Sequence, residues 1–426
     1  MVSRRTMLIG CAAAAAGAAA VMKPSDLGGP YPAYFARLNG MLREAGIDRP
    51  VLLIDLDRLD RNIDRVVHST SIAPAKTYRI VVKSLPSPEL IDYVARRSAS
   101  KSFMVFHRPF LSAIAETHPD ADILLGKPLP VAGARLFYER HRGPFQPARQ
   151  LQWLIDSSAR LDQYRSLAHS LGVKMRINLE IDVGLHRGGF DSPEALRAAL
   201  RTIAADGASL EFAGFMGYDA HLMGLHGFLA RREMPKVKQR YAECVALLRS
   251  EFPALATPAS APLCLNGAGS PTFRNYEGDA LLNDLSAGSC LVKPRHYDIA
   301  TLAEFEPAAY IASPVLKRLP GGRVPALEWS APAIRAWDPN REQMIFAYGG
   351  NWLADVEAPP GVMPSDMYLS SNQQGYMASN AVTLGVDDFI FLRPTQSEAV
   401  LLQFGDLVAF RGGRIAARWP VLQQSV

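Results

Sequence analysis

The chain lacks most of what would make it fibrous, disordered, disulfide-stapled or membrane-spanning. It has four cysteines, Cys11, Cys244, Cys264 and Cys290, with no Cys-x-x-Cys pair among them. Cys11 lies in an N-terminal apolar segment, and the remaining three cannot build a disulfide framework. Past that segment no apolar run approaches the ~20 residues a helix needs to span a bilayer. A strong excess of one charge is also missing. The 46 basic and 41 acidic residues leave a net charge of +5 that is spread along the chain, which argues against a nucleic-acid partner. Histidine and cysteine run out early: the last of each are His296 and Cys290. What remains is ordinary globular composition, 48% hydrophobic and 20% charged over 426 residues. That excludes wholesale disorder and low-complexity architecture and leaves room for two or three domains at roughly 150 residues each.

The first residues read as an address. Ser3-Arg4-Arg5-Thr6-Met7-Leu8 is followed by an alanine-rich stretch to Met22, with small residues at Ala18-Ala19-Ala20. A short basic start, an apolar run and small residues make a signal peptide, assigned here to residues 1–29. The adjacent arginines point to the twin-arginine export machinery and a periplasmic destination. Leu8-Ile9-Gly10-Cys11 resembles a lipoprotein box, but too few apolar residues precede Cys11 for that reading.

Beyond Gly28-Gly29-Pro30, residues 34–46 read as a short helix, and Val51–Leu56 as a buried strand leading into a helix from Leu59 to Val67. Short apolar runs then recur at Arg79–Lys83, Phe103–Phe106, Ile123–Leu125, Trp153–Asp156, Met175–Ile181, Phe212–Met216, Leu263–Asn266 and Ala287–Val292. Helical patterns such as Ser87–Arg97, Ser158–Leu171, Pro193–Ala205 and Lys236–Phe252 lie between them. Strands alternating with helices indicate βαβ units and a parallel sheet. Eight such runs fit a closed (β/α)8 barrel of ~250 residues, with an open doubly wound sheet as the competing architecture. After residue 300 the pattern changes to short runs punctuated by Pro and Gly, at Tyr310–Leu316, Gln343–Tyr348, Phe389–Leu392, Leu407–Phe410 and Arg414–Ala417. The expected organisation is therefore an α/β barrel over residues 30–300 followed by an all-β domain over 301–426. Strand 51–56 is surplus to the eight and is assigned to the β domain.

In such a barrel, functional residues sit at the C-terminal strand ends, and phosphate is typically held after strands seven and eight. Lys83 closes the first strand, where a partly desolvated amine suits Schiff-base chemistry. Position alone leaves open a lysine that merely surfaces at a strand end. Asn266-Gly267-Ala268-Gly269-Ser270-Pro271-Thr272 follows the seventh strand and Gly288-Ser289 the eighth. Glycines let backbone approach an anion while hydroxyls add donors. The cluster from Glu180 through Arg187 to Gly189 follows the fifth strand, and Tyr218-Asp219-Ala220-His221 the sixth. These offer a guanidinium, an aromatic wall and an imidazole, although an ion-pair cluster and a structural histidine account for the same residues.

In this order, the pieces resemble the fold-type III pyridoxal-phosphate enzymes, in the D-threonine aldolase and D-serine dehydratase branch related to alanine racemase. The resemblance runs from about Val51 to Pro420. Leu53-Ile54-Asp55-Leu56-Asp57 with Asn62 resembles the family's opening strand and helix. Arg79 to Lys83 is similar to its Arg-x-x-x-Lys motif, with Ser84 where threonine is usual. Glu180 to Gly189 resembles Glu-x-Asp-x-Gly-x-x-Arg-x-Gly, and Tyr218 with His221 matches Tyr-x-x-His. Carried over residue by residue, the resemblance implies pyridoxal 5'-phosphate held covalently on Lys83. Arg79, Arg187 and Tyr218 would contact the cofactor, and Gly269, Ser270, Gly288 and Ser289 would cradle its phosphate. It further implies a homodimer and an amino-acid substrate, with Lys83 and His221 among the catalytic groups.

The C-terminus departs from that family. Its metal-dependent members carry a Glu-Glu-His-Gly-like segment and a later Pro-x-His-x-Cys or Pro-x-His-x-Asp motif. The matching places here read Asn372-Gln373-Gln374-Gly375 and Pro394-Thr395-Gln396-Ser397-Glu398. No metal site is expected. Gln396 and Glu398 are instead read as polar groups facing the substrate's β-hydroxyl. The resulting expectation is a pyridoxal-phosphate lyase for a D- or β-hydroxy amino acid, with retro-aldol cleavage ahead of dehydration and racemisation. A non-catalytic cofactor-binding protein is the alternative from another class.

Overall fold

The computed structural model describes residues 23–225, 227–257, 261–368 and 371–424. The twin-arginine segment within residues 1–22 lies outside them.

The (β/α)8 expectation is met by a closed parallel barrel of eight strands. With β1 taken as Val51–Asp55, the barrel strands are β2 (Thr77–Val81), β3 (Ser102–Val105), β4 (Asp122–Leu125), β5 (Leu151–Ile155), β6 (Met175–Glu180), β7 (Leu210–Gly217), β8 (Cys264–Gly267) and β9 (Asp284–Ala287). β2 pairs with both β3 and β9, which closes the ring and rules out the open doubly wound sheet. The connecting helices start on sequence signals that fix their first turns. Ser87, Ser157 and Ser192 cap the helices Pro88–Ser98, Ser158–Leu171 and Pro193–Ala205 through their side chains. Pro88 and Pro193 add the fixed φ that suits a first helical residue. Gly214 is required where β6 and β7 shift register. Its φ is +145°, and a Cβ there would lie 1.9 Å from the Cys264 carbonyl oxygen across β7 and β8.

Two placements differ from the sequence reading. The eighth strand is Asp284–Ala287, and Ser289–Val292, read as strand from its apolar run, is a helical turn. Lys83 stands just past β2, in a single 3-10 turn over Val82–Ser84, rather than on the strand itself.

The interior of the barrel is polar where branched aliphatic side chains usually stack. Arg79, at 1% exposure, donates through Nε and one terminal nitrogen to Asp284 (2.9 and 2.7 Å) and to Asp122 (2.5 Å). Its other terminal nitrogen reaches the carbonyls of Phe103 and Asp122. Gln152 donates to Asp122, Asn178 donates to Gln152, and Asn266 donates to both Asp284 and Ser286. Outside the ring, Leu56–Ser71 buries Leu56, Leu59, Ile63 and Val66 at helical spacing. Asn62 ties that helix to the chain by donating to the carbonyls of Leu291 and Glu306 and accepting from the Glu306 amide.

The second sheet has nine strands. After β10 (Ala309–Pro320) come β11 (Gln343–Tyr348), β12 (Ala354–Ala358), β13 (Met363–Pro364), β14 (Gln373–Ala378), β15 (Phe389–Pro394), β16 (Asp406–Arg411) and β17 (Arg414–Pro420). Their order is β13-β14-β11-β10-β1-β16-β17, with β15 pairing β10 and β12. Strands β12 to β14 are additions to the sequence reading. The chain forms two compact units, residues 23–53, 310–395 and 410–416 in one, and 54–309, 396–409 and 417–424 in the other. The first helix, Ala33–Glu44, falls in the first of these units and the segment 396–409 in the second, with the barrel strands.

Candidate active site

A cavity of about 620 Å³, counted with the open space at its mouth, opens over the barrel. Its lining comes from the ends of the barrel strands and the turns that follow them: Lys83 and Ser84 after β2, Phe106 after β3, Arg187 after β6, Tyr218 after β7, Gly269 and Ser270 after β8, Gly288 and Ser289 after β9. Tyr297 and Glu398 complete it. The charged side chains in this lining are Lys83, Arg187 and Glu398.

Lys83 Nζ lies 2.5 Å from Glu398 Oε1 and 4.4 Å from the centre of the Phe106 ring. Glu398 opens the helical turn Glu398–Leu401, and the residue before it is anchored. Ser397, 1% exposed, has its hydroxyl 3.1 Å from Ser289 Oγ, which lies 2.9 Å from Ser84 Oγ. Tyr297 hydrogen-bonds the same Ser289. The hydroxyl of Ser270 accepts from the backbone amides of Gly288 and Cys290, both at 3.1 Å, and so joins the turns after β8 and β9. Arg187 stacks its guanidinium over the Tyr218 ring at 5.0 Å and makes no hydrogen bond or ion pair among the described residues. Burial pushes the Tyr218 phenol up to about 12, and Tyr297 is raised for the same reason. Both phenols therefore keep their protons at neutral pH. Beside Arg187, the buried Glu180 carboxyl is pushed up to about 6 by desolvation; the guanidinium opposes the rise, while Asp156 and Asp182 add to it.

Of the residues singled out in the sequence, Lys83, Arg187, Tyr218, Gly269, Ser270, Gly288, Ser289 and Glu398 meet in this one cavity. Three do not. Arg79 sits one layer deeper: alternation along β2 puts Val81 at the cavity and Arg79 below it, with its donors taken up inside the barrel. His221 lies outside the lining on a 3-10 turn over Ala220–Gly224, with both ring nitrogens buried and unpartnered. Gln396 is exposed and does not reach the cavity either. The sequence reading passed over Phe106, Tyr297 and Ser84 as contributors. Phe106 ends a strand run, and a strand end next to Lys83's own strand was the available signal for it. No comparable signal marked Tyr297. Among the described residues, no group of three or more His, Cys, Asp or Glu is placed to hold a metal ion.

A strand-end amine, a guanidinium with capacity to spare and a hydroxyl-rich pole on the turns after β8 and β9 form a recognisable donor set. The model of the alanine racemase N-terminal domain matches residues 54–295. The chain belongs to this family. Family members are fold-type III enzymes that hold pyridoxal phosphate covalently on a lysine. D-threonine aldolase from Filomicrobium marinum is similar with a TM-score of 0.69 at 17% identity, over 94% of this chain and 98% of that one. D-threo-3-hydroxyaspartate dehydratase from Delftia sp. HT23 follows at 0.65 and 17%, over 89% and 98%. Alanine racemase from Bacillus anthracis is similar at 0.64 and 14%, over 87% and 97%. No curated protein sequence matches the chain. At these identities the likeness carries the family's fold, and the cavity residues carry the chemistry.

The donor set fits pyridoxal 5'-phosphate. Lys83 offers the amine, Arg187 and Tyr218 a cation and a flat wall for the ring, and Ser270 and Ser289 a hydroxyl pole for the phosphate. Gly269 keeps the pole close to the wall, since a Cβ there would lie 2.7 Å from Tyr218 Cε2.

Proposed function

We propose that this chain is an exported pyridoxal-phosphate lyase acting on a D- or β-hydroxy amino acid, with retro-aldol cleavage as its reaction. The observation that carries the reading is the Lys83–Glu398 pair inside the cavity. Lys83 would hold the cofactor, Arg187 and Tyr218 its ring, and Gly269, Ser270, Gly288 and Ser289 its phosphate. When bound, the cofactor supplies an electron sink for negative charge at the substrate Cα.

The chain's own groups divide the remaining work. Lys83 Nζ would hold and deliver the proton at the substrate Cα. The Glu398 carboxylate takes the proton from the β-hydroxyl as the Cα–Cβ bond breaks, so that Cβ leaves as an aldehyde and Cα ends as CH₂ after receiving a proton. The Phe106 ring covers one side of the amine, 4.4 Å from Nζ. Dehydration would instead require the β-hydroxyl to leave with an added proton, which Lys83 would have to supply as its ammonium; the product screen separates the two reactions. Gln396, exposed and outside the cavity, drops out of this scheme, as does His221. A homodimer and delivery to the periplasm by the twin-arginine route, read from Arg4-Arg5, complete the proposal.

The test is an absorbance scan of purified protein followed by a screen of D-threonine, D-serine and the two alanine enantiomers, with aldehyde, ammonia and inverted product measured separately. Aldehyde from D-threonine is expected. Ammonia would replace the reading by dehydration, inverted product by racemisation, and silence on every substrate with a visible band present by a non-catalytic binding protein.

A further inference from the structure

Behind the phosphate pole lies a carboxylate that the scheme above does not use. Asp219 follows Tyr218 directly and is fully buried at 0% exposure. Thr272 Oγ1 donates to its Oδ1 at 2.6 Å, and Tyr276 OH donates to its Oδ2 at 2.9 Å. Both partners are themselves buried, at 2% and 3%. No lysine or arginine forms an ion pair with Asp219 among the described residues, and Lys238 lies over the Tyr276 ring. Burial pushes the Asp219 carboxyl up, while the two hydroxyl donors pull it down. An unpaired carboxylate in such a place is costly, so its benefit should be sought in what it fixes.

What it fixes is direction. Thr272 Oγ1 and Tyr276 OH each spend their one hydroxyl hydrogen on this carboxyl group, one on each oxygen. Thr272 Oγ1 is then left with lone pairs only, and these accept the Gly269 amide at 3.1 Å. The Thr272 and Phe273 amides in turn close on the Gly269 carbonyl at 2.9 and 3.0 Å. The turn over Gly269–Thr272 is thereby locked from behind, with Ser270 on its cavity side bonded to the amides of Gly288 and Cys290. An asparagine at this position would accept at one side only and leave the hydroxyl directions undetermined.

We propose that Asp219 is the positioning residue of the phosphate pole: through Thr272 it holds the Gly269–Thr272 turn, and so Ser270, in the geometry that accepts a phosphate dianion. This rests on the cofactor reading given above. It implies that Asp219 governs affinity for the phosphate of the ligand and leaves affinity for its ring and aldehyde untouched.

The experiment titrates cofactor-stripped protein separately with pyridoxal 5'-phosphate and with pyridoxal, following visible absorbance. Wild type should favour the phosphorylated form. Asp219→Asn and Thr272→Val should each reduce that preference by about tenfold or more, the effect of losing a hydrogen bond to a charged group. Pyridoxal affinity should be unchanged, and Thr272→Ser, which restores the hydroxyl, should restore the preference. If Asp219→Asn fails to fold, Thr272→Val against Thr272→Ser decides the matter. A preference that survives the substitutions, or a loss that weakens both ligands alike, overturns the proposal. A wild type that binds neither ligand, or binds both equally, marks failure of the cofactor reading instead, and it appears before any variant is made.

Discussion

Arg79 and Lys83 lie four residues apart on one strand and its exit turn, yet they belong to two different regimes. At the barrel floor, Arg79 meets Asp122 and Asp284 and two backbone carbonyls, and little of its donor capacity is left over. At the mouth, Lys83 has one carboxylate and an aromatic face, is a third exposed, and looks into open space. Buried charge that is fully paired holds structure, and losing one partner strands the others. Charge with capacity left over is what a ligand can use. The same contrast separates Asn266, spent on Asp284 and Ser286, from Arg187, which stacks on Tyr218 and keeps its hydrogen bonds to give.

The largest effects should break this contrast in opposite ways. Lys83→Ala should abolish the visible absorbance of the bound cofactor and all turnover while leaving the denaturation midpoint nearly unmoved. A visible band that persists in the variant would remove Lys83 from its role. Arg79→Met should do the reverse, because Asp284 loses the cation it is paired with and Asp122 keeps only Arg176, at 3.9 Å. Chemical denaturation should show a loss of about 3–5 kcal/mol, with cofactor affinity in the surviving folded fraction close to wild type. A variant of normal stability that has lost the cofactor would return Arg79 to the binding site the sequence motif suggested.

That motif shows where sequence reading works and where it stops. The βα alternation and the order of the mouth residues were readable, since each is a local signal. Arg79's place below the mouth was readable from strand alternation, but its acid and carbonyl partners Asp122, Asp284 and Phe103 come from other strands and carry no local signal. The eighth strand failed for a related reason. Asp284 and Ser286 turn inward to the polar floor, so the strand looks polar, and the apolar stretch just after it, Ser289–Val292, is a buried helical turn. Strands β12 and β14 were hidden by polar residues, exposed at Asp355 and Gln373 and half-buried at Glu357. Gln396 and Glu398 looked equivalent as neighbours of one motif. Only the anchoring of Ser397 between them decides that Glu398 enters the cavity and Gln396 does not.

A smaller effect should come from Glu180, a buried carboxyl beside the mouth. Its pKa in the folded protein is raised from 4.5 to about 6, chiefly by desolvation. Over that window the folded state holds a proton that the unfolded chain has released. Stability should therefore be fully present below about pH 4.5, fall as pH rises to about 6, and be flat above. The total is about 2 kcal/mol. Denaturation midpoints measured across this range should show the fall in wild type and not in Glu180→Gln. A wild-type curve that rises with pH through the window would mean that Arg187 outweighs burial there.

The smallest effect expected is from removing divalent metal, and it bears directly on how the mouth differs from that of metal-dependent relatives. The chain has no histidine after His296 and no cysteine after Cys290, so the C-terminal segment brings neither imidazole nor thiolate to the cavity. What it does bring is Glu398, and that carboxylate is engaged with Lys83 at 2.5 Å. A single carboxylate shared with an ammonium is a poor ligand for Zn²⁺, which favours nitrogen and sulfur. It is also too few oxygens for Mg²⁺ or Mn²⁺. Gln396, with its neutral amide, points to solvent. In this site the β-hydroxyl would therefore be activated by Glu398 as a base, where a metal could otherwise polarise it. Dialysis against a strong chelator should leave both the visible band and the turnover rate within experimental error, and Gln396→Ala should be equally silent. Glu398→Gln should lower turnover by about 10²-fold or more, the range for losing a positioned acid–base group, without releasing the cofactor. If chelation abolished activity and Mn²⁺ or Zn²⁺ restored it while Glu398→Gln stayed active, the base would be a metal-bound species held by residues outside this set, and the role given to Glu398 would fall.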